Sequence, residues 1–337
     1  MTLYYQSRFG LARGAVYYKD KPHLYAEGYE FDLSAGVLGT RSVARLRAKS
    51  GGMAFLKLFD GADAVLDAPQ EIADKLTEGA AVEIEIVAER RDDGQKLARG
   101  KFVAVAEGES RRLSPLLSLK ERLLDRARLY FGDLPTEVSD DDEALDAAES
   151  EARDPSGDLP GGGYLSVEAT RALIACDVDS AGAGESKPPR AVAKACNDRA
   201  LADLPRRLRL SGLAGLVVID LIGRRFDAIQ ARTLLQDAFG AEFSRIQIGA
   251  AGKFGTLELV RPWGACPLRA SLHPVHGALY LLRQAIAMSA QDRSRVLVVR
   301  GRPDVIDVLR PLIANSLDPL APMLRLETAP RNEVIAL

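Results

Sequence analysis

Two apolar runs, each closing on acidic residues, constrain this chain more than any other feature. ALIACDVD carries Asp177 and Asp179 at its end, and LAGLVVIDLI carries Asp220 near its end. Each reads as a strand. Between them lie a Gly/Ser/Pro-rich loop, SAGAGESKPP, and a helical stretch, RAVAKACNDRALADLPRRLRL. The alternation continues through helix AIQARTLLQDAFG and strands SRIQIG and GTLELVRP. After His276 come helix GALYLLRQAIA, strand SRVLVVR, helix PDVIDVLRPLIANSL and strand PMLRLETA. Strands and helices in this order predict a mixed α/β sheet architecture.

The first hundred residues read differently, as short strands separated by turn signals. In AAVEIEIV, Val82, Ile84 and Ile86 alternate with Glu83 and Glu85, the two faces of a half-buried strand. Strands spaced this way predict a small barrel. Residues 113–130 have helical periodicity after their proline. Residues 136–158 hold ten acidic residues against the single base Arg153, and are read as a partly solvated linker and a domain boundary.

At 337 residues the chain exceeds one typical domain, and 47% apolar content is enough for a sizeable core. Three cysteines, Cys176, Cys196 and Cys266, form no paired framework, which fits a reducing compartment. No signal-peptide core and no membrane-length apolar run is present, so the protein is expected to be cytoplasmic with no membrane partner. The net charge of −2 means that any attraction to a polyanion must come from local patches.

Strand ends are where α/β sheets display functional groups, and paired carboxylates are the hard oxygen ligands that Mg²⁺ accepts while keeping several waters. A metal held by Asp177 and Asp220 would activate water and stabilise charge on a phosphodiester. Acidic residues leaving a strand also simply solvate or cap the next loop, and spacing alone leaves both readings open.

Three ordered motifs bear on the choice: GGGYLSVEATRALIACDVDSAGAG, RRLRLSGLAGLVVIDLI and KFGTLELVRPW. Together they resemble the catalytic region of the ribonuclease E/G family, with its strand pair ending in Asp-Val-Asn-Ser, its Arg-Leu-Arg helix end and its Ile-Val-Ile-Asp-Phe strand. GMAFLKLFDGADAVLDA looks like the family's RNA-binding OB barrel, and VLVVRGRPDVIDVLRPLIANSL like its small terminal domain. The resemblance implies a multidomain mixed α/β chain. An RNase H-like piece (1–33 and 111–160, with the acidic linker) is interrupted by an OB-fold barrel (34–110). A DNase I-like catalytic domain (161–265) and a small C-terminal α/β domain (266–337) follow.

The activity implied is Mg²⁺-dependent endoribonucleolytic cleavage of single-stranded RNA in processing or turnover, leaving 5′-phosphate and 3′-hydroxyl ends. Mn²⁺ is the alternative ion. Asp177 and Asp220 match the family's metal ligands. Asp179 stands where the family has asparagine and adds a negative charge to the catalytic set. Phe55 matches a base-stacking aromatic, or is a core aromatic; a second family aromatic is Val65 here. Lys96 matches a phosphate-contacting lysine, and Asn197 matches the asparagine of a Thr-Asn-Leu-Glu segment. Lys253 and Phe254 stand in the family's Arg-Phe-Gly; the charge survives, but the planar bidentate fork is lost.

Residues 187–210 form the strongest basic segment, and Lys194, Arg207 and Arg209 within it are expected to line the RNA path unless they form an ordinary solvated helix face. Pro205 should kink that helix. Only about fifty residues separate the barrel from GGGYL, too few for the family's 5′-phosphate-sensing subdomain, so no preference for 5′-monophosphate is expected. The Cys-Pro-x-Cys zinc link of the family is broken after Cys266, and Cys266, His273 and His276 fit no standard zinc spacing. Zn²⁺ is therefore not expected, while a homodimer remains compatible with the resemblance. The competing readings are a catalytically inactive RNA-binding protein of the same fold and a metal-dependent phosphoesterase for a small substrate.

Overall fold

The structure is a computed structural model that describes residues 1–91, 96–180, 188–223, 226–268, 271, 273–292 and 295–336. The chain begins with an antiparallel meander of β1 (Thr2–Arg8), β2 (Leu11–Tyr18) and β3 (Lys21–Tyr29). Its two turns, Phe9-Gly10 and Lys19-Asp20, hold both central residues at positive φ, the backbone twist that a two-residue hairpin favours. Phe9 tolerates this because its ring is anchored in a core formed with the C-terminal helices.

Next come β4 (Arg41–Ser50), β5 (Met53–Lys57), β6 (Asp63–Asp67), a short helix α1 (Gln70–Lys75), β7 (Ala81–Ala88) and β8 (Ala98–Val105). The pairings run β4 to β5, β6, β8, β7 and back to β4, so five strands close into a barrel. The alternation in β7 sends Val82, Ile84 and Ile86 into the barrel core, as the sequence pattern requires. A two-residue strand, β9 (Arg111–Arg112), pairs beside β4.

Helix α2 (Leu119–Phe131) starts at a capping box, in which Ser118 accepts from the Glu121 amide and Glu121 accepts from the Ser118 amide. Its Leu119, Leu123 and Ala127 face the meander. The acidic tract then folds rather than acting as a solvated linker. β10 (Glu137–Ser139) joins β1 in parallel, and α3 (Asp142–Arg153) lays Leu145, Ala148 and Ala152 on the other face of the meander. The physical reason is charge neutralisation by distant arginines. Arg13 of β2, 2% exposed, donates to Asp142 and Asp146, and Arg283 donates to Asp146 and Glu149.

The third part is a six-stranded sheet of order β11–β12–β13–β14–β16–β15, built from β11 (Gly157–Asp158), β12 (Tyr164–Ala169), β13 (Ile174–Asp179), β14 (Gly215–Asp220), β15 (Gln247–Ile248) and β16 (Thr256–Arg261). β13 and β14 are parallel, connected through α4 (Pro189–Leu210), while the other pairs are antiparallel. Pro205 sits inside α4, which continues through it to Leu210. Helix α5 (Ala228–Phe239) packs beside α4 on the same side, over a core that includes Val167, Cys176, Leu204, Val217 and Leu259.

Helices α6 (Pro274–Gln291) and α7 (Pro303–Ala314) flank a three-stranded sheet of β17 (Leu297–Gly301), β18 (Leu324–Thr328) and β19 (Glu333–Ala336), in which β17 is central. The barrel meets the six-stranded sheet at Trp263. Arg91 stacks on its indole at 3.7 Å, and the ring lies against Gly215, where a Cβ would come within 2.9 Å. Among the described residues no helix is long and apolar enough to cross a membrane.

Candidate active site on the open sheet face

Alternation fixes which groups the six-stranded sheet displays. In β13, Ile174, Cys176 and Val178 point into the core, so Ala175, Asp177 and Asp179 point to the uncovered face. In β14, Val217 and Ile219 are buried and Asp220 is exposed. The parallel register then places Asp177 directly beside Asp220. Adjacent strands lie roughly 4.8 Å apart, so the two carboxylates stand within reach of one cation. Ser166 on β12 is the register partner of Asp177 and Thr256 on β16 that of Asp220. One row across four strands therefore reads Ser166, Asp177, Asp220, Thr256.

Asp179 lies on the same face one pleat further along β13, opposite Tyr164. Glu168 and Glu258 point the same way from β12 and β16. The face is acidic and by itself repels a polyanion. Asp177 and Asp220 make no ion pair among the described residues, and their exposed hard oxygens suit Mg²⁺ with retained waters. Among the described residues no three or more His, Cys, Asp or Glu side chains gather as a metal site, on this face or elsewhere, so a cation here would rest on the Asp177–Asp220 pair and water.

The chain beyond Asp220 is held from both sides. Asn197 of α4, 6% exposed, accepts from the Ile222 amide at 2.9 Å and donates to the Ile222 carbonyl at 3.1 Å. The Leu221 amide donates to the Gly255 carbonyl. Gly255 belongs to a tight turn closed by a bond from the Gly252 amide to the Thr256 carbonyl, in which a Cβ on Gly252 would fall 2.2 Å from the Thr256 hydroxyl. This turn presents Lys253 and Phe254 to solvent next to Asp220's partner Thr256, and Phe254 is 84% exposed.

The basic helix requires a correction. Arg207 and Arg209 are each 3% exposed and do not line an RNA path. Arg207 donates to Asp203 and to the carbonyls of Pro155 and Asp158, tying the end of the acidic tract to α4. Arg206 bridges Asp203, Glu151 and the Pro22 carbonyl. Burial alone raises the Asp203 carboxyl, but Arg206 and Arg207 outweigh it and hold the group well below the ordinary carboxylate range. Arg209 donates to the Ala238 carbonyl and pairs with Glu242. Asn197 likewise is buried, with its amide spent on the Ile222 backbone. Lys194 is exposed and paired with Asp198 at 2.6 Å, and Lys187, counted in the same basic segment, lies outside the described residues.

On the barrel, Phe55 is half-buried on the outer wall and is not part of the barrel core. Val65 pairs with it on β6, and Arg99 of β8 pairs with Val65, so the row reads Phe55, Val65, Arg99. Sequence reasoning missed Arg99, Ser166 and Thr256, because only strand register reveals them. Lys96 is exposed, with its ammonium 5.5 Å from the Trp263 ring; residues 92–95 of its loop lie outside the described residues. His273 caps α6 through the Val275 amide, and His276 lies 2.7 Å from Glu27 and 2.8 Å from Ser271. Arg269, next to the broken Cys-Pro motif, lies outside the described residues.

Residues 135–263 match the family model described as the Ribonuclease E/G family, a span that holds the whole carboxylate row. Over 119 residues the chain is 36% identical to Ribonuclease E of Nostoc sp., covering 35% of this chain and 17% of that protein. It is 33% identical to Ribonuclease E of Escherichia coli over 156 residues, covering 44% of this chain and 14% of that protein. A similar match to the Haemophilus influenzae Ribonuclease E covers 15% of its length. The chain thus matches only a minor part of each of these relatives.

Proposed function

We propose, from the match of residues 135–263 to the Ribonuclease E/G family model and to the Ribonuclease E relatives, that the chain is an endoribonuclease that hydrolyses single-stranded RNA on the open face of its six-stranded sheet. The observation that carries this reading is the register pairing of Asp177 with Asp220. The two side chains would hold Mg²⁺ or Mn²⁺, which when bound supplies Lewis-acid stabilisation of phosphoryl charge and a lowered water pKa. Asp177 and Asp220 would hold that cation at the centre of the row. Ser166 and Thr256, at the ends of the row, orient the carboxylates or bound water by hydrogen bonds. Asn197 acts as a positioning residue, holding the backbone two residues beyond Asp220.

In the same reading the RNA crosses from the outer wall of the barrel, where Phe55 supplies a stacking face and Arg99 a phosphate contact, to Lys253 and Phe254 at the edge of the carboxylate row. Lys96 contributes at the barrel margin. The products carry 5′-phosphate and 3′-hydroxyl ends, and cleavage shows no preference for a 5′-monophosphate, because the interval between barrel and sheet is occupied by α2, β10 and α3. The four-part division into RNase H-like, OB-fold, DNase I-like and small terminal domains, cytoplasmic residence and a homodimer belong to the same proposal.

The test is cleavage of an end-labelled single-stranded RNA with Mg²⁺ by the wild type and by a protein carrying both Asp177→Asn and Asp220→Asn. Cutting by the wild type alone supports the proposal. Equal cutting by both places the activity elsewhere. RNA retention by both without cutting supports the inactive RNA-binding reading, which Asp179, an added charge on the same face, favours.

A further inference from the structure

A cavity of about 720 Å³ opens where α2, β3, the barrel and the segment after β16 meet. It is distinct from the carboxylate face: Asp177, Asp179 and Asp220 do not line it. Its volume lies in the range of small-molecule sites. From α2 it receives Arg122 and Arg126, four residues apart and therefore neighbours on one side of the helix. Both are partly buried, and neither forms an ion pair among the described residues. Arg122 makes one hydrogen bond, to the Tyr29 carbonyl at 3.4 Å. Its guanidinium pKa is lowered by burial, with the charge of Arg126 adding to the effect.

Like charges at this spacing repel, and the carboxylates of Asp32 and Glu89, which line the same cavity and partly offset the Arg122 charge, form no direct ion pair with it. The carboxylates whose charge reaches Arg122 are turned elsewhere. Asp32 accepts from the Ser34 amide, and Glu89 accepts from the amides of Leu38 and Cys266. An independent observation comes from the end of α4. Arg209 and Ser211, each 3% exposed, line the same cavity; Arg209 Nε and Ser211 Oγ, like Arg122 Nε, are buried without a hydrogen-bond partner, while Glu242 Oε2, 3.5 Å from the Arg209 guanidinium, is the unpartnered acceptor beside them. Native proteins rarely leave such donors unmet.

We propose that this cavity is an anion site for a phosphate monoester of nucleotide size, with the phosphate taken by Arg122, Arg126 and Ser211. Two guanidiniums, Arg122 and Arg126, that form no ion pair among the described residues suit a doubly charged oxyanion with three acceptor oxygens. The Tyr29 and Tyr130 rings in the lining give the remainder of the ligand an apolar surface. The site would let a free mononucleotide, the kind of molecule that complete RNA breakdown releases, bind between barrel and sheet and bias their docking. The binding claim itself does not depend on the nuclease reading.

The test is calorimetry and thermal unfolding of the full chain in chelator, so that no metal bridges phosphate to the carboxylate face, with AMP, inorganic phosphate and adenosine as probes. AMP is expected to bind and raise the melting temperature, and adenosine to do neither. Arg126→Gln is expected to weaken AMP binding at least tenfold while leaving the ligand-free melting temperature equal or higher, since it removes a like-charge neighbour. Asp177→Asn should bind AMP as the wild type does. Absence of AMP binding, or binding unchanged in both Arg122→Gln and Arg126→Gln, would overturn the proposal. Inorganic phosphate binding as tightly as AMP would overturn the nucleotide-sized ligand.

Discussion

Asp177 and Asp220 are side-by-side partners on adjacent parallel strands, exposed on the face of their sheet opposite the core that α4 and α5 cover. Like charges directly opposite on neighbouring strands destabilise a sheet by up to about 1 kcal/mol, so this pair is a cost to the fold that a bound cation would relieve. Replacing Asp177 by Asn should therefore stabilise the metal-free protein by about 0.5 kcal/mol while lowering RNA cleavage by at least about 100-fold. Mg²⁺ should raise the melting temperature of the wild type and not of the variant. Chemical denaturation with and without Mg²⁺ checks both signs. A destabilised variant, or one that Mg²⁺ still stabilises, would remove the pair from metal binding.

Asn197 supports the same site from behind the sheet. Its amide satisfies both backbone groups of the half-buried Ile222, so Asn197→Ala leaves a partly buried donor and acceptor unmet, at a cost of about 1 kcal/mol. Because the freed segment follows Asp220 directly, kcat should fall more than the stability loss explains, with KM for RNA little changed. Steady-state kinetics well below the variant's melting temperature separate the two effects.

Much of this was readable before any coordinates. The alternating strands of the barrel, the helices on either side of Asp220 and the acidic ends of β13 and β14 follow from periodicity, because a buried face writes itself into the sequence at intervals of 2 or 3.6 residues. Register leaves no such mark. The placement of Ser166 and Thr256 beside the carboxylates, or of Arg99 beside Val65, depends on pairings between segments far apart in the chain. The basic helix departs from its expected exposure for a related reason. Arg206, Arg207 and Arg209 look like a solvated cationic stripe, yet their partners, Glu151, Asp158 and Glu242, lie on three other elements that only the tertiary fold brings to α4. The acidic tract departs from its expected solvation with them, since its counter-charges are Arg13 and Arg283, from opposite ends of the sequence.

The contrast between exposed and buried cations gives a paired prediction. Lys253→Ala and Phe254→Ala alter solvent-exposed groups of one turn and should leave stability within about 0.5 kcal/mol of the wild type while raising KM for RNA. Arg207→Ala should do the reverse, destabilising by about 3–5 kcal/mol because Asp203 is left buried with less compensation. Denaturation curves beside cleavage kinetics for the three variants decide. A large stability loss on Phe254→Ala would mean that the turn is structural rather than a contact for substrate.

The acid limb of stability should report on His23. Burial first, then the charges of Arg209 and Arg206, bring its pKa down to about 3. An unfolded histidine titrates near 6.5, so between those values the unfolded chain binds a proton that the folded chain refuses. The stability contributed by neutral His23 is fully present above about pH 6.5 and is lost as the pH falls toward the folded value, at a slope of up to about 1.4 kcal/mol per pH unit. His23→Gln keeps a polar side chain without the titration. It should flatten the stability profile between pH 6.5 and about 4.5, above the range where Asp203 begins to contribute a loss of the same sign. Denaturant midpoints measured across that interval test this, and an equal slope in the variant would assign the acid sensitivity to groups other than His23.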